Sequence, residues 1–324
     1  MLAVSTPPSE ATDYQNVENG VSVMTDVLMI MSIVSAGLTF LTFAVFGDLR
    51  TYPIRLIMYL CVCIVVGFTF FLVAFRDDVV RSDFCKGAAV LTHFFFIANF
   101  YWTFCIAFNF YQMIVRRNRE SQRLEKWYHL LCWGLPSILV TIVGALGYYG
   151  PLSTETDAQT LCYITNDIAR FITFFIPGLI AISANCILFF FIGREIHETL
   201  SGAPKSDQRN KRKEFQVYIS IFISIGLSWI FGYLMFIIPD ELASIIFLVL
   251  FSIFTPLQGV LLFLFYCLNK KVFAKWLGLI GFCIPVFRNW ADQLSTDTTS
   301  ASRTSNRGSS RSASHAQSGN SSSL

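Results

Sequence analysis

The sequence predicts an all-α membrane protein: a seven-transmembrane-helix bundle with a short amphipathic eighth helix and a disordered C-terminal tail. Three observations carry that expectation. The first is composition: 54% of the 324 residues are hydrophobic and 16% aromatic against 14% charged, and the mean hydropathy is +0.56. Soluble domains carry about 25% charged residues, so this chain has too few to clothe a water-exposed surface. The second is a series of seven apolar runs, each long enough to cross a hydrocarbon core of roughly 30 Å. The third is segregation of charge. Of 24 Lys and Arg, only Arg76, Arg81, Lys86 and Arg170 fall on one side of the predicted spans. Basic loops stay in the cytoplasm, so the pattern places the N-terminus outside and the C-terminus inside, at the plasma membrane.

Residues 1–23 are polar and acidic (Glu10, Asp13, Glu18) and lack the basic start of a cleavable signal peptide, so they form a short extracellular N-terminus. The bundle occupies 24–268, with spans near 24–47, 53–75, 85–115, 128–149, 168–192, 215–238 and 242–268. Pro53 suits a helix start and Pro239 a helix stop. Pro177 in the fifth run and Gly226 or Gly232 in the sixth are tolerated because neighbouring helices satisfy loosened backbone groups. Pro256 kinks the seventh. The third run makes a helix about 46 Å long at 1.5 Å per residue, so it tilts or protrudes. Arg116, Arg117 and Arg119 mark its cytoplasmic end.

Beyond the spans, Phe273, Trp276, Leu277, Ile280 and Ile284 share one helix face while Lys270, Lys271 and Lys275 stay polar. Residues 269–290 are therefore expected to lie on the inner leaflet against membrane lipids, with Cys283 a candidate lipidation site. The plainer alternative is that 269–284 extends helix seven. Residues 291–324 are Ser/Thr-rich without an apolar cluster and cannot bury enough surface to order themselves. Ser310 and Ser314 each follow an arginine by three residues, a spacing basophilic kinases accept. Phosphorylation there would recruit arrestin- or kinase-type regulators; the alternative is a passive solvated tail.

Chemistry has few places to sit. Cys85 opens the third span and Cys162 lies in the loop after the fourth, both on the oxidising side, so a disulfide is expected. Ionisable residues inside the spans are nearly absent, leaving a proton relay or ion pathway little to work with. No His, Cys or carboxylate cluster converges as an enzyme would need, and no metal site, cofactor or nucleic-acid partner is expected. His93, Asn99, Tyr148, Tyr149, Tyr163, Arg170, Trp229, Tyr233 and Gln258 are the candidates to line an outer ligand cavity. For each aromatic the alternative is ordinary helix packing, and for His93 a hydrogen-bonded structural role. At the inner end Arg50, Arg55, Arg116, Arg117, Arg194, Lys211, Arg212, Lys213 and Lys270 form a basic ring. It fits a docking surface, although topology and attraction to anionic lipids account for the same residues.

Residues 101–115 (Tyr101, Trp102, Thr103, Phe104, Cys105 onward) and 123–136 carry a family resemblance. Glu125, Lys126, Tyr128 and the run Leu131, Cys132, Trp133, Gly134, Leu135, Pro136 stand where the cyclic-AMP receptor family (class E) and its cyclic-AMP-receptor-like relatives have theirs. Helix seven, with Leu257 to Gly259 and Phe265 to Asn269, is similar to the secretin and adhesion receptors. The class E pattern has Cys-Trp in the second outer loop; here it is Cys162-Tyr163. The resemblance implies a G protein-coupled receptor of the cyclic-AMP-receptor-like family, passing an extracellular ligand signal to a heterotrimeric G protein. Outer charge disfavours cyclic AMP as that ligand: the outer segments hold twelve acidic residues against four basic ones, a field that repels phosphate. The rival readings are a seven-helix transporter or channel and a non-signalling membrane scaffold.

Overall fold

The computed structural model describes residues 8–118, 121–153, 160–201, 228–238 and 241–283. Helix α1 (Pro8–Val45) is longer than its apolar run, which begins at Gly20. Proline at the first helical position and acids in the first turns (Glu10, Asp13) favour a helix start there. Arg50 folds back over the far end of α1. Its Nε donates to the Phe43 carbonyl at 3.0 Å and its Nη2 to that of Ala44 at 2.9 Å, satisfying carbonyls that a helix terminus leaves open. Helix α2 (Tyr52–Ala74) follows with Pro53 in its first turn. A short helix, α3 (Asp77–Val80), leads into α4 (Phe84–Ile114), the 31-residue element around which the others pack. Seventeen of its residues are buried, among them Trp102, Phe100 and Ile97.

The fourth and fifth spans are each interrupted once, by the same device. Helix α5 (Glu125–His129) passes through a π turn, Leu130–Gly134, into α6 (Leu135–Ala145). Helix α7 (Asp167–Arg170) passes through a second, Phe171–Phe175, into α8 (Ile176–Ser201). Pro136 and Pro177 each stand two residues beyond a π turn. Proline brings no N–H, so the preceding turn loses a helical bond and widens. In the second turn, Ile176 N–H bonds to Phe171 five residues back.

The fourth span ends at Ala145, short of the expected 149. Gly147 takes φ 72°, a left-handed value glycine adopts freely. The chain reverses there, so Tyr149 belongs to a strand instead of a helix. Strand β1 (Tyr149–Ser153) pairs antiparallel with β2 (Thr160–Ile164), Tyr149 opposite Ile164 and Gly150 opposite Tyr163. The all-α bundle thus carries a two-stranded hairpin in the loop between its fourth and fifth spans. The fifth span runs on to Ser201, past the expected 192.

Helix α9 (Ser228–Ile237) is the described part of the sixth span; 215–227 lies outside the described residues. Helix α10 (Glu241–Tyr266) contains Pro256. Six helical segments among the described residues are long and apolar enough to cross a membrane. Val27, Ile30, Val34, Ile138 and Phe190 are exposed, as lipid-facing positions should be. In α10, Gly259 meets α1 at backbone contact. Its N–H donates to Ser32 Oγ at 3.1 Å, and a Cβ there would lie 2.5 Å from the Ser32 carbonyl oxygen.

The last unit is helix α11 (Lys270–Cys283), entered through Asn269, whose Oδ1 accepts the Val272 N–H at 2.9 Å. Lys271 is exposed and Leu277 buried within this amphipathic element. The side chains of Lys270 and Cys283, and the residues Lys211, Lys213, Ser310 and Ser314, lie outside what is described.

Candidate functional site

At the hairpin end, Cys85 at the start of α4 is joined to Cys162 in β2, with Cα atoms 5.3 Å apart. That bond draws β2 into the bundle, where Cys162, Tyr163 and Ile164 are consecutive and all buried. A strand lying on a surface alternates buried and exposed residues. This one is wedged between helices.

Beneath the hairpin sits His93, fully buried on α4. Its Nε2 lies 3.1 Å from the Thr173 carbonyl and its Nδ1 2.7 Å from Tyr149 Oη. A carbonyl only accepts, so Nε2 carries the proton; in the neutral ring Nδ1 then accepts the Tyr149 hydroxyl proton. Thr173 is available because Pro177, four residues on, brings no N–H to it. The Phe175 carbonyl of the same π turn accepts the Tyr233 hydroxyl at 2.8 Å. That approach requires Gly178, where a Cβ would stand 2.7 Å from the Tyr233 oxygen. The π turn of the fifth span is therefore bonded from two sides, by α4 and by α9. Burial raises the pKa of both loop tyrosines, Tyr149 and Tyr163, so both stay protonated.

Below this layer is an aromatic floor. Trp229 packs edge-on against Phe100 at 4.7 Å, Phe251 at 5.1 Å and Phe174 at 5.6 Å between ring centres. Lower still, Asn99 and Gln258 form a reciprocal amide pair between α4 and α10, with N···O distances of 3.3 and 3.2 Å. Thr103, which shares a face with Asn99, bonds the Asn99 carbonyl of its own helix at 2.7 Å. A double-mutant cycle on Asn99→Leu and Gln258→Leu is expected to give a coupling of about 0.6 kcal/mol, and no more than about 1.7 kcal/mol, in thermal unfolding. Each single variant leaves a buried amide without its partner, whereas the double variant removes both. Purely additive losses would mean the pair contributes nothing.

The structure thus gathers His93, Tyr149 and Tyr163 in one layer, Tyr233 and Trp229 around the adjoining π turn and floor, and Asn99 with Gln258 beneath. It leaves two candidates apart. Tyr148 takes part through its carbonyl, which accepts the Thr165 N–H at 2.8 Å. Arg170 binds the Ile164 carbonyl at 3.2 Å and the Asp167 carboxylate, tying the end of β2 to α7. Sequence reasoning missed Thr173, Phe174, Phe96, Phe100 and Phe251. Thr173 had a signal, a proline four residues later; the phenylalanines had none among 33.

The residues that carried the class E resemblance form a packing seam. Trp102 is fully buried, stacked on Tyr59 at 4.7 Å and edge-on to His129 at 5.2 Å and Trp133 at 5.6 Å. Trp133 Nε1 donates to His129 Nδ1 at 3.2 Å, and the sulfurs of Cys105 and Cys132 are 3.4 Å apart. Glu125 meets Arg55 at 3.2 Å. At the same end Arg117 faces Glu195 at 3.6 Å and Arg194 faces Glu198 at 2.9 Å. Arg117 closes α4 in the left-handed region, φ 53°, and Arg116 beside it is exposed. No cluster of three or more metal-ligating side chains occurs among the described residues.

Membrane-spanning helices joined by neutral hydrogen bonds, with a disulfide-tethered hairpin at one end, define a multi-pass helical membrane protein. The family model of the 7 transmembrane receptor (Secretin family) matches residues 18–262. Latrophilin receptor-like protein A of Dictyostelium discoideum is 43% identical over 285 residues, covering 87% of this chain and 90% of that protein. Adhesion G protein-coupled receptor E5 of Bos taurus is 26% identical over 267 residues, 80% of this chain and 35% of that protein. G-protein coupled receptor 1 of Arabidopsis thaliana is 28% identical over 216 residues, 62% and 63% of the two chains. The chain belongs to the secretin family of seven-transmembrane receptors. That is the resemblance carried by helix seven; the class E reading of 101–136 is not carried by these matches.

Proposed function

We propose that this chain is a plasma-membrane receptor, N-terminus outside and C-terminus in the cytoplasm, that relays a small extracellular ligand to a heterotrimeric G protein. The observation that carries the reading is the set of neutral bonds between spans: His93 to Thr173, Tyr233 to Phe175 and Asn99 to Gln258. Such bonds move no ion across the bilayer; they hold one helix arrangement against another. A ligand shifts that balance only by its difference in affinity for the two. Pro177, Pro256 and Gly232 are the hinges. At the basic end the Arg117–Glu195 and Arg194–Glu198 pairs lie at the surface, where an ion pair contributes about 0–1 kcal/mol. A rearrangement breaks them cheaply and frees cationic side chains for the G protein, joined by Arg50, Arg55, Arg116, Lys211, Lys213 and Lys270. Cys283 adds a lipid anchor, and Ser310 and Ser314 recruit regulators once phosphorylated.

The test is guanine-nucleotide exchange on a panel of Gα subunits in membranes containing the chain, across a broad ligand panel. Ligand-dependent acceleration on at least one Gα is expected; flat exchange throughout contradicts the reading. The cyclic-AMP-receptor-like assignment is tested by nucleotide binding to wild type and Lys86→Ala. Lys86 is the cleaner probe because Arg170 is already engaged by Asp167 and the hairpin. Binding that weakens in the variant supports the assignment.

A further inference from the structure

The hairpin holds two tyrosines whose side chains are buried in the same layer and whose hydroxyls meet different fates. Tyr149 Oη is bonded to His93. Tyr163 Oη is buried and finds no hydrogen-bond partner among the described residues. Its ring is well placed, 5.8 Å from that of Phe174 and 6.2 Å from that of His93, both edge-on. The ring favours insertion; the hydroxyl, which meets no partner among the described residues, opposes it. Native proteins leave few buried polar groups unpaired, and each one calls for a physical reason.

We propose that the β1–β2 hairpin is an internal plug, latched by Tyr149 through His93 to the π turn of the fifth span and held near release by the unpaired hydroxyl of Tyr163. Three features make it a plug. Its strand β2 is buried on both faces, at Cys162, Tyr163 and Ile164. Its two tyrosines, both candidates to line a ligand cavity, sit against His93 of α4 and Phe174 of the fifth span. Its latch ends on a carbonyl that the Pro177 backbone leaves free, so withdrawal of Tyr149 loosens His93 and unties one side of the π turn. The disulfide to Cys85 keeps the withdrawn hairpin beside the bundle, ready to reinsert. Once withdrawn, the Tyr163 hydroxyl regains water. The two tyrosines thus act on one equilibrium with opposite signs.

The test compares Tyr149→Phe and Tyr163→Phe, changes that keep each ring and remove one oxygen. The full chain is purified in lipid nanodiscs, and hydrogen–deuterium exchange is followed at the hairpin amides of residues 161–165. Tyr149→Phe strips His93 of its donor, and exchange is expected to accelerate roughly tenfold. Tyr163→Phe removes an unpaired group, and exchange is expected to slow several-fold. Should Tyr149→Phe fail to fold, the slowing in Tyr163→Phe carries the test alone. Shifts of the same sign in both variants, or none in either, overturn the plug. The consequence for signalling rests on the receptor reading: basal nucleotide exchange on Gα should rise in Tyr149→Phe and fall in Tyr163→Phe. Opposite amide shifts with no change on any Gα would uphold the plug and count against that reading.

Discussion

Cys162→Ser is expected to lower the stability of the purified protein by about 2–4 kcal/mol, the usual contribution of a disulfide. The bond closes a long stretch of chain, with 77 residues of sequence separation between its cysteines. It also pins β2, so its loss releases the wedge of Cys162, Tyr163 and Ile164 from the bundle. Thermal unfolding in detergent is the measurement. Reductant should bring wild type down to the midpoint of the variant and leave the variant unmoved. Identical midpoints for oxidised wild type and variant would mean that the helices alone seat the hairpin.

Gly259→Ala is the second large effect, expected at about 2–4 kcal/mol from overpacking and a lost hydrogen bond together. The added methyl meets the Ser32 backbone carbonyl, so α10 must retreat from α1. Backbone cannot step aside as a long side chain would. Ser32→Ala alone removes only the hydroxyl bonded to Gly259 and should cost less than about 1.5 kcal/mol. Adding it to Gly259→Ala should not rescue, because the carbonyl remains. A rescued double variant would show that the hydroxyl, and not the backbone, sets the spacing of the two helices.

The parts of the fold legible in the sequence are those governed by hydrocarbon thickness. Apolar runs located α2, α4 and α10 to within about two residues, because a membrane admits backbone only with its hydrogen bonds closed. Where other forces act, the ends moved. Pro8 and the acids after it carry α1 well beyond its apolar run, and Gly147 turns Tyr149 out of helix four into a strand. The hairpin escaped because loop residues 150–167 obey no membrane rule and Tyr163 sits opposite a glycine, with no alternating pattern to read.

The site was legible as a set of residue types and opaque as a set of pairs. Asn99, Gln258, His93 and Tyr149 stood out as polar groups in apolar surroundings. Their partnering depends on helix rotation: Asn99 and Gln258 are 159 residues apart in sequence. Tyr59 and His129 went unnoticed beside Trp102 for the same reason. The basic end shows the reverse case. Arg50 and Arg55 were read as surface charge, and the folded chain uses them as a helix cap and an ion pair.

Coupling to a G protein, as proposed, requires helices that shift against one another when it binds. The most direct measurement is the distance between spin labels at Arg116 and Glu198, at the basic ends of α4 and α8, in reconstituted protein with and without nucleotide-free Gα. Two distances whose balance moves when Gα is added are predicted. A single distance, unchanged by Gα and by Tyr149→Phe alike, would contradict it.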